Sequence, residues 1–216
     1  MHVTKVERQT HHPRRINLYL DGKFAFAVQG DVLSDFNVKT GDDLDEGTVS
    51  ALLSREEIHL AKRQAFRYLT HRQRSEYEIR TRLFEKEHLP STIDAVIDHL
   101  RGLGLIDDLA FARALLHDLQ LRKPCGKTLL QQKLRSKGIS SAIIVDLLRE
   151  QMTDQVELGL AMAEAKKVIE RYQSSRKIVD EQKQRQRLAR YLARRGFSWG
   201  TIGPVVRQLF SPGTSL

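Results

Sequence analysis

The sequence predicts a mainly α-helical protein: three tandem three-helix repeats forming an elongated, curved body, preceded by a small N-terminal β-hairpin element. Three observations carry this prediction. One helical phrase occurs three times, beginning at Ser75, Gly126 and Gln184. Apolar residues recur with a helical period from Glu57 onward, whereas residues 16–28 alternate with a period of two. Aromatic residues make up only 6% of the 216 residues while 29% are charged, a balance that suits short amphipathic helices sharing thin cores.

Aligned on Leu83, Leu134 and Leu192, the phrases carry Ile79, Leu130 and Leu188 four residues earlier. Each closes on an apolar residue and a serine: Leu89 and Ser91, Ile139 and Ser140, Phe197 and Ser198. Repeats build extended surfaces by stacking one supersecondary unit, whereas active sites are usually single constellations. The repeat therefore argues for a binding protein.

The elements follow in order. In INLYLDGKFAFAV (16–28), Ile16, Leu18 and Leu20 alternate with polar neighbours, as do Phe24, Phe26 and Val28. Asp21-Gly22 between them supplies the two positive-φ residues of a type I′ turn. Val3 and Val6 suggest a further short element. Leu44, Val49, Leu52 and Leu53 mark a short helix closing a segment 1–56. The first repeat, 57–106, has the stripe Ile58, Ala61, Ala65, Tyr68 and Leu69. Ser75 and Glu78 then form a capping box before Ile79 and Leu83, and a third helix starts near Pro90-Ser91. The second repeat, 107–155, opens on Asp107-Asp108 as cap and breaks at Pro124-Cys125-Gly126. Its second helix closes with Gly138 in the left-handed position and Ile139 packing back. The third repeat, 156–216, has Leu158, Ala161, Met162, Ala165 and Ile169 on its first helix and closes its second with Gly196-Phe197. Pro204 lies where its ring clashes with the carbonyl four residues back, so the last helix is expected to start late or kink.

The net charge is +9 and unevenly placed. Residues 1–56 hold 7 basic and 9 acidic groups, residues 57–164 hold 17 and 15, and residues 165–216 hold 12 and 3. The last segment thus holds the excess, which suggests contact with a polyanion or an acidic protein groove. Arg185, Arg187, Arg190, Arg194 and Arg195 dominate it, and 187, 190 and 194 share one helix face opposite Leu188 and Leu192. Such a face can meet several phosphates at once. Arg72 and Arg74 read either as an anion-binding cluster at a helix N-terminus or as a basic connection. Lys123 and Lys127 are further candidate contacts.

Catalytic and metal-binding readings find no support. Asp107-Asp108 lacks a third ligand at useful spacing. Gly102-Leu103-Gly104 follows no strand and lacks a phosphate-loop lysine. His11-His12 belongs to no HExxH pattern, and Cys125 has no nucleophile signature and reads as an ordinary loop residue. No cofactor, metal or catalytic residue is expected. The absence of a long apolar run and of a signal segment, with a single cysteine, predicts a cytoplasmic protein outside the membrane.

Taken together, Tyr68-LTHRQRSEYEIRTRL, Leu105-IDDLAFAR and Lys123-PCGKTLLQQKLRSKGI, in this order and spacing, resemble the RecX family of recombinase-regulatory proteins, and INLYLDGKFAFAV resembles the hairpin many members carry. The resemblance implies a non-enzymatic monomer that lies in the groove of the RecA recombinase filament. It implies inhibition of ATP hydrolysis, strand exchange and co-protease activity, in DNA repair, recombination and the SOS response. DNA, single- or double-stranded, is a second implied partner. The alternative is a stand-alone DNA-binding helical module acting through the basic C-terminal repeat.

Overall fold

The structure is a computed structural model that describes residues 1–173 and 180–210. The chain divides into two compact units, Met1–Ile106 and Asp107–Leu216.

The first unit opens with an antiparallel sheet of β1 (Val3–Arg8), β2 (Arg15–Leu20) and β3 (Lys23–Gln29), in that order. The two central turn residues, Asp21 (φ 49°) and Gly22 (φ 78°), both sit in the left-handed region the type I′ turn requires. The register slips between Leu18, which faces Phe26, and Tyr19, which faces Phe24. A bulge of this kind interrupts the two-residue alternation. Leu18, Leu20 and Val28 are buried as expected, but Phe24 is exposed and packs edge-on against Tyr19 at 5.8 Å on the outer face. Lys5 covers the same Tyr19 ring.

A short helix α1 (Gly30–Asp35) leads to α2 (Glu46–Leu69). The latter is one continuous 24-residue helix, capped by Asp45, whose side chain accepts from the Thr48 N–H. The short helix expected around Leu52 and the helix expected from Glu57 are thus a single element. Its first half packs Leu52 on the sheet core with Leu18, Val28 and Val32; its second half contributes Ala61 and Ala65 to the core of the first repeat. Helices α3 (Glu76–Phe84) and α4 (Pro90–Gly102) complete that repeat.

The second unit contains α5 (Asp108–Arg122), α6 (Lys127–Ser136) and α7 (Ser141–Gln151), then α8 (Asp154–Gln173), α9 (Glu181–Arg194) and α10 (Trp199–Leu209). Asp107 caps α5 by accepting from the N–H groups of both Leu109 and Ala110. Asp108 is the first helical residue, an acid in the first turn.

The middle helices share one geometry. Ile79 and Leu83, Leu130 and Leu134, and Leu188 and Leu192 are all fully buried. Gly138 (φ 75°) and Gly196 (φ 79°) close α6 and α9 in paired Schellman turns. In each, the glycine N–H donates to Arg135 or Ala193, and the next residue's N–H donates to Leu134 or Leu192. Glu87 (φ 63°) takes the glycine's place after α3, with the same bonds from Glu87 to Phe84 and from His88 to Leu83. The structural counterpart of Ile139 and Phe197 is therefore His88, not Leu89. Leu89 is the N-cap of α4 and gives no side-chain cap, Pro90 is its first helical residue, and Ser91 lies inside the helix. Ser140 and Ser198 do cap α7 and α10.

One further expectation is narrowed and two are corrected. Helix α10 begins directly behind Ser198 and runs through Pro204, so it does not start late. Its capping bonds from Thr201 and Ile202 to Ser198 anchor the turn ahead of the proline. Cys125 is no ordinary loop residue: it is buried in the core of the second repeat, and burial raises its thiol pKa against the lowering charges of Arg195 and Lys133. Leu158, placed on the apolar stripe of the third repeat, is partly exposed. Part of the connection following Tyr172 lies outside the described residues.

Candidate partner and nucleic-acid interface

The two candidate arginines of the first repeat, Arg72 and Arg74, make contacts within the fold. The Arg72 guanidinium donates to Glu78 at 2.9 Å and to the Gln73 carbonyl. Arg74 donates from Nε to the Tyr68 carbonyl at 2.9 Å and lies over the Tyr68 ring. These contacts tie the connection between α2 and α3 to the start of α3, where the Ser75 hydroxyl accepts from the Glu78 N–H. Just behind it, Glu76 accepts from Arg80 at 2.7 Å and from Arg101 on α4. Burial pushes the Glu76 carboxyl pKa up, but the bonds and charges of the two arginines outweigh it and hold the group below its ordinary range. These contacts fit the reading of Arg72 and Arg74 as a basic connection, and the Arg72 side chain stays exposed beside its Glu78 partner.

In the second unit, Lys127 is also engaged. Its ammonium donates to Asp154 at 2.5 Å, and its backbone N–H donates to the buried carboxylate of Glu157 at 2.9 Å. Lys123, at the end of α5, is exposed and makes no ion pair among the described residues.

Helix α9 carries the strongest charge signal, and the structure sorts its arginines into two sets. Arg195 donates to the Pro124 carbonyl and is only partly exposed. It stands where α9 ends against the start of α6: the Gly126 N–H donates to the Arg195 carbonyl and the Thr128 N–H to the Gly196 carbonyl. A Cβ at Gly126 would run into the backbone of Gly196 and Phe197, which is why this junction uses glycine on both sides. Arg185 is likewise committed, donating to Glu181 and to the Phe210 carbonyl and lying over the Phe210 ring.

Arg187, Arg190 and Arg194 form the other set. All three are exposed, on the face opposite the buried Leu188 and Leu192. Arg190 makes a single long bond to the Gln186 carbonyl, and among the described residues none of the three makes an ion pair. Lys183 extends the row by one turn, because 183, 187, 190 and 194 follow the helical period. The sequence reading left Lys183 out, although the same periodicity contains it. The result is an exposed cationic stripe along three turns of helix, able to neutralise successive charges of a polyanion.

No group of His, Cys, Asp and Glu among the described residues could hold a metal ion, and no helix among them is long and apolar enough to cross a membrane.

This architecture defines a protein of tandem three-helix units preceded by a small β-sheet domain. Comparison with known proteins gives the family. Residues 1–45 match the regulatory protein RecX N-terminal domain, and residues 61–100, 107–148 and 160–206 match the first, second and third RecX three-helix domains. A regulatory protein RecX of Clostridioides difficile is 30% identical over 97% of this chain and 96% of its own. One of Bacillus subtilis is 30% identical over 96% of this chain and 76% of its own. A crystal structure of a regulatory protein RecX, 30% identical, superposes with a TM-score of 0.73 over 94% of this chain and 98% of the other. RecX from Lactobacillus salivarius, at 22% identity and a TM-score of 0.64 over 72% of this chain, shares the fold. The chain belongs to the RecX regulatory protein family.

Proposed function

We propose that the protein is a non-enzymatic regulator that binds the RecA recombinase nucleoprotein filament in its helical groove and inhibits ATP hydrolysis, strand exchange and co-protease activity. The observation that carries this reading is family membership in all four segments, from the sheet domain through the third repeat. Tandem units supply several contact surfaces on one chain, so weak contacts with successive filament subunits would add through effective concentration. The protein acts as a monomer in the cytoplasm in this reading, and its contact residues are the α9 stripe with Lys123. The test is to add the protein substoichiometrically to recombinase on single-stranded DNA and follow ATP turnover. Turnover and strand exchange should fall together as the protein is added. Unchanged turnover at every ratio would overturn the proposal.

A second reading rests on the stripe itself. Lys183, Arg187, Arg190 and Arg194 have no acidic partner among the described residues, which suits direct DNA binding without recombinase. That reading requires binding to a bare strand that weakens steeply with salt.

A further inference from the structure

The N-terminal unit carries a second cationic feature, remote in sequence from the stripe. A cleft of about 630 Å³ lies between the turn joining β1 to β2 and one face of α2. Its walls include Arg15 from the sheet and Arg63, Gln64 and Arg67 from the helix, with His12 and Gln9 at the turn. An adjoining hollow of about 450 Å³ shares Arg15 and Arg63 and adds Arg14 and His59.

Four arginines thus line two hollows that share Arg15 and Arg63, in a unit whose first 56 residues are acidic overall. The nearby acids are two. Glu56 lies 3.5 Å from the Arg15 guanidinium and also accepts from the Gln29 N–H, and Asp31 lines the adjoining hollow. They leave Arg14, Arg63 and Arg67 without an ion pair among the described residues. Most other arginines of this unit are paired: Arg55 with Asp35, Arg72 with Glu78, Arg80 with Glu76 and Asp94, Arg82 with Glu85, and Arg101 with Asp98.

Two polar atoms at the cleft wall are also unspent. Nε of Arg15 and Oε1 of Gln64 are buried and have no hydrogen-bond partner. Buried polar atoms are nearly always satisfied in folded proteins, so the Arg15 Nε–H marks a donor that an anion or solvent completes, whereas the Gln64 oxygen accepts and calls for a donor such as water or a ligand hydroxyl. Planar guanidinium forks match phosphate oxygens in bidentate geometry. Arg63 and Arg67 are four residues apart, an advance of about 6 Å along the helix, which spaces two forks for neighbouring phosphates rather than for one carboxylate.

We propose that this cleft binds phosphate groups, either those of a free nucleoside triphosphate or those of a nucleic-acid strand. The site is built from residues other than those of the α9 stripe and does not depend on the recombinase reading. The probes are ATP, inorganic triphosphate and a labelled oligothymidylate, each titrated into the full chain. Arg63→Gln with Arg67→Gln should weaken binding by about tenfold or more, as expected for loss of two charge-assisted contacts. The surface pair Arg122→Gln with Arg149→Gln removes the same charge elsewhere and should stay within about twofold of the parent, since exposed pairs contribute little. Weakening of ATP and triphosphate alone identifies a free-nucleotide site, and weakening of the oligothymidylate identifies a strand site. No binding by the parent, or equal losses in the two double variants, overturns the proposal. Because Arg63 and Arg67 are exposed, the variant should fold. A check independent of any variant is the amide spectrum of the parent: ATP or the oligothymidylate should shift Ala27 and Gln64, and unmoved signals with both would equally overturn it.

Discussion

At position 88 the first repeat departs from the other two in a single side chain. Ile139 and Phe197 fold back from the same place onto the end of their helices and are buried. His88 is less completely hidden, with 9% of its side chain exposed, and it brings two ring nitrogens into that site. Nε2 has no partner, and Nδ1 lies 3.9 Å from the Glu57 carboxylate, beyond a hydrogen bond. An unpartnered buried polar group costs about 1–3 kcal/mol. His88→Ile should therefore raise the unfolding free energy by about 1 kcal/mol, read as a higher urea midpoint at unchanged slope. A lower midpoint would mean that the Glu57 contact outweighs the orphaned nitrogen. The sequence hid this position because the eye aligns Leu89 with Ile139 and Phe197. The true alignment is set by backbone conformation, with Glu87 standing in the left-handed site of Gly138 and Gly196. Phe24 was missed for a related reason, since a single bulged residue turns it to the outer face although its sequence alternation is regular.

At the scale of the element, helices that cannot cap themselves borrow a carboxylate from a long helix. Gln29, Leu89 and Gly126 are the N-caps of α1, α4 and α6, and none supplies a side-chain bond. The Gln29 N–H instead donates to Glu56 and the Leu89 N–H to Glu57, both on α2. The Lys127 N–H, at the first turn of α6, donates to Glu157 on α8. Glu157 is buried and also accepts from the Thr201 hydroxyl of α10, so one carboxylate joins three helices across the second and third repeats. Glu157→Ala should destabilise the second unit by about 1–3 kcal/mol, and Glu157→Gln by less, because the amide oxygen still accepts. Hydrogen exchange should show the first-turn amides of α6 losing protection in the alanine variant; unchanged protection at Lys127 would show that the bond is dispensable. Caps at Ser75, Asp107, Ser140 and Ser198 were legible because acceptor and donor lie within three residues of each other. Those from Glu57 and Glu157 cross 32 and 30 residues, which no local pattern reveals.

For the whole molecule, the repeat and its buried leucines could be read from the chain because each repeat packs mainly on residues near it in sequence. Charge was legible only as a total. The excess of residues 165–216 is real, yet Arg185 and Arg195 are engaged by the Phe210 and Pro124 carbonyls, and on α9 Lys183, Arg187, Arg190 and Arg194 remain as an open row. The converging arginines of the N-terminal cleft were invisible for the opposite reason: Arg14 and Arg15 sit in an acidic segment, far from Arg63 and Arg67, and the fold alone brings them together. These two surfaces make different demands on an anionic partner. The stripe is straight and fully solvated, so its contribution is mainly counterion release, whereas the cleft offers directed bonds from within a wall. Replacing Arg187, Arg190 and Arg194 with Gln should flatten the dependence of log affinity on log salt for a single strand by about 2, the slope of three phosphate contacts at about 0.7 each. Helicity should not change, because all three side chains are exposed and Leu188 and Leu192 are untouched. The measurement is strand and filament binding across a salt series, with far-UV dichroism as the folding control. A slope identical to the parent's on both partners would show that the row is only a solvated face. A slope lost on the filament but kept on the bare strand would assign the row to recombinase.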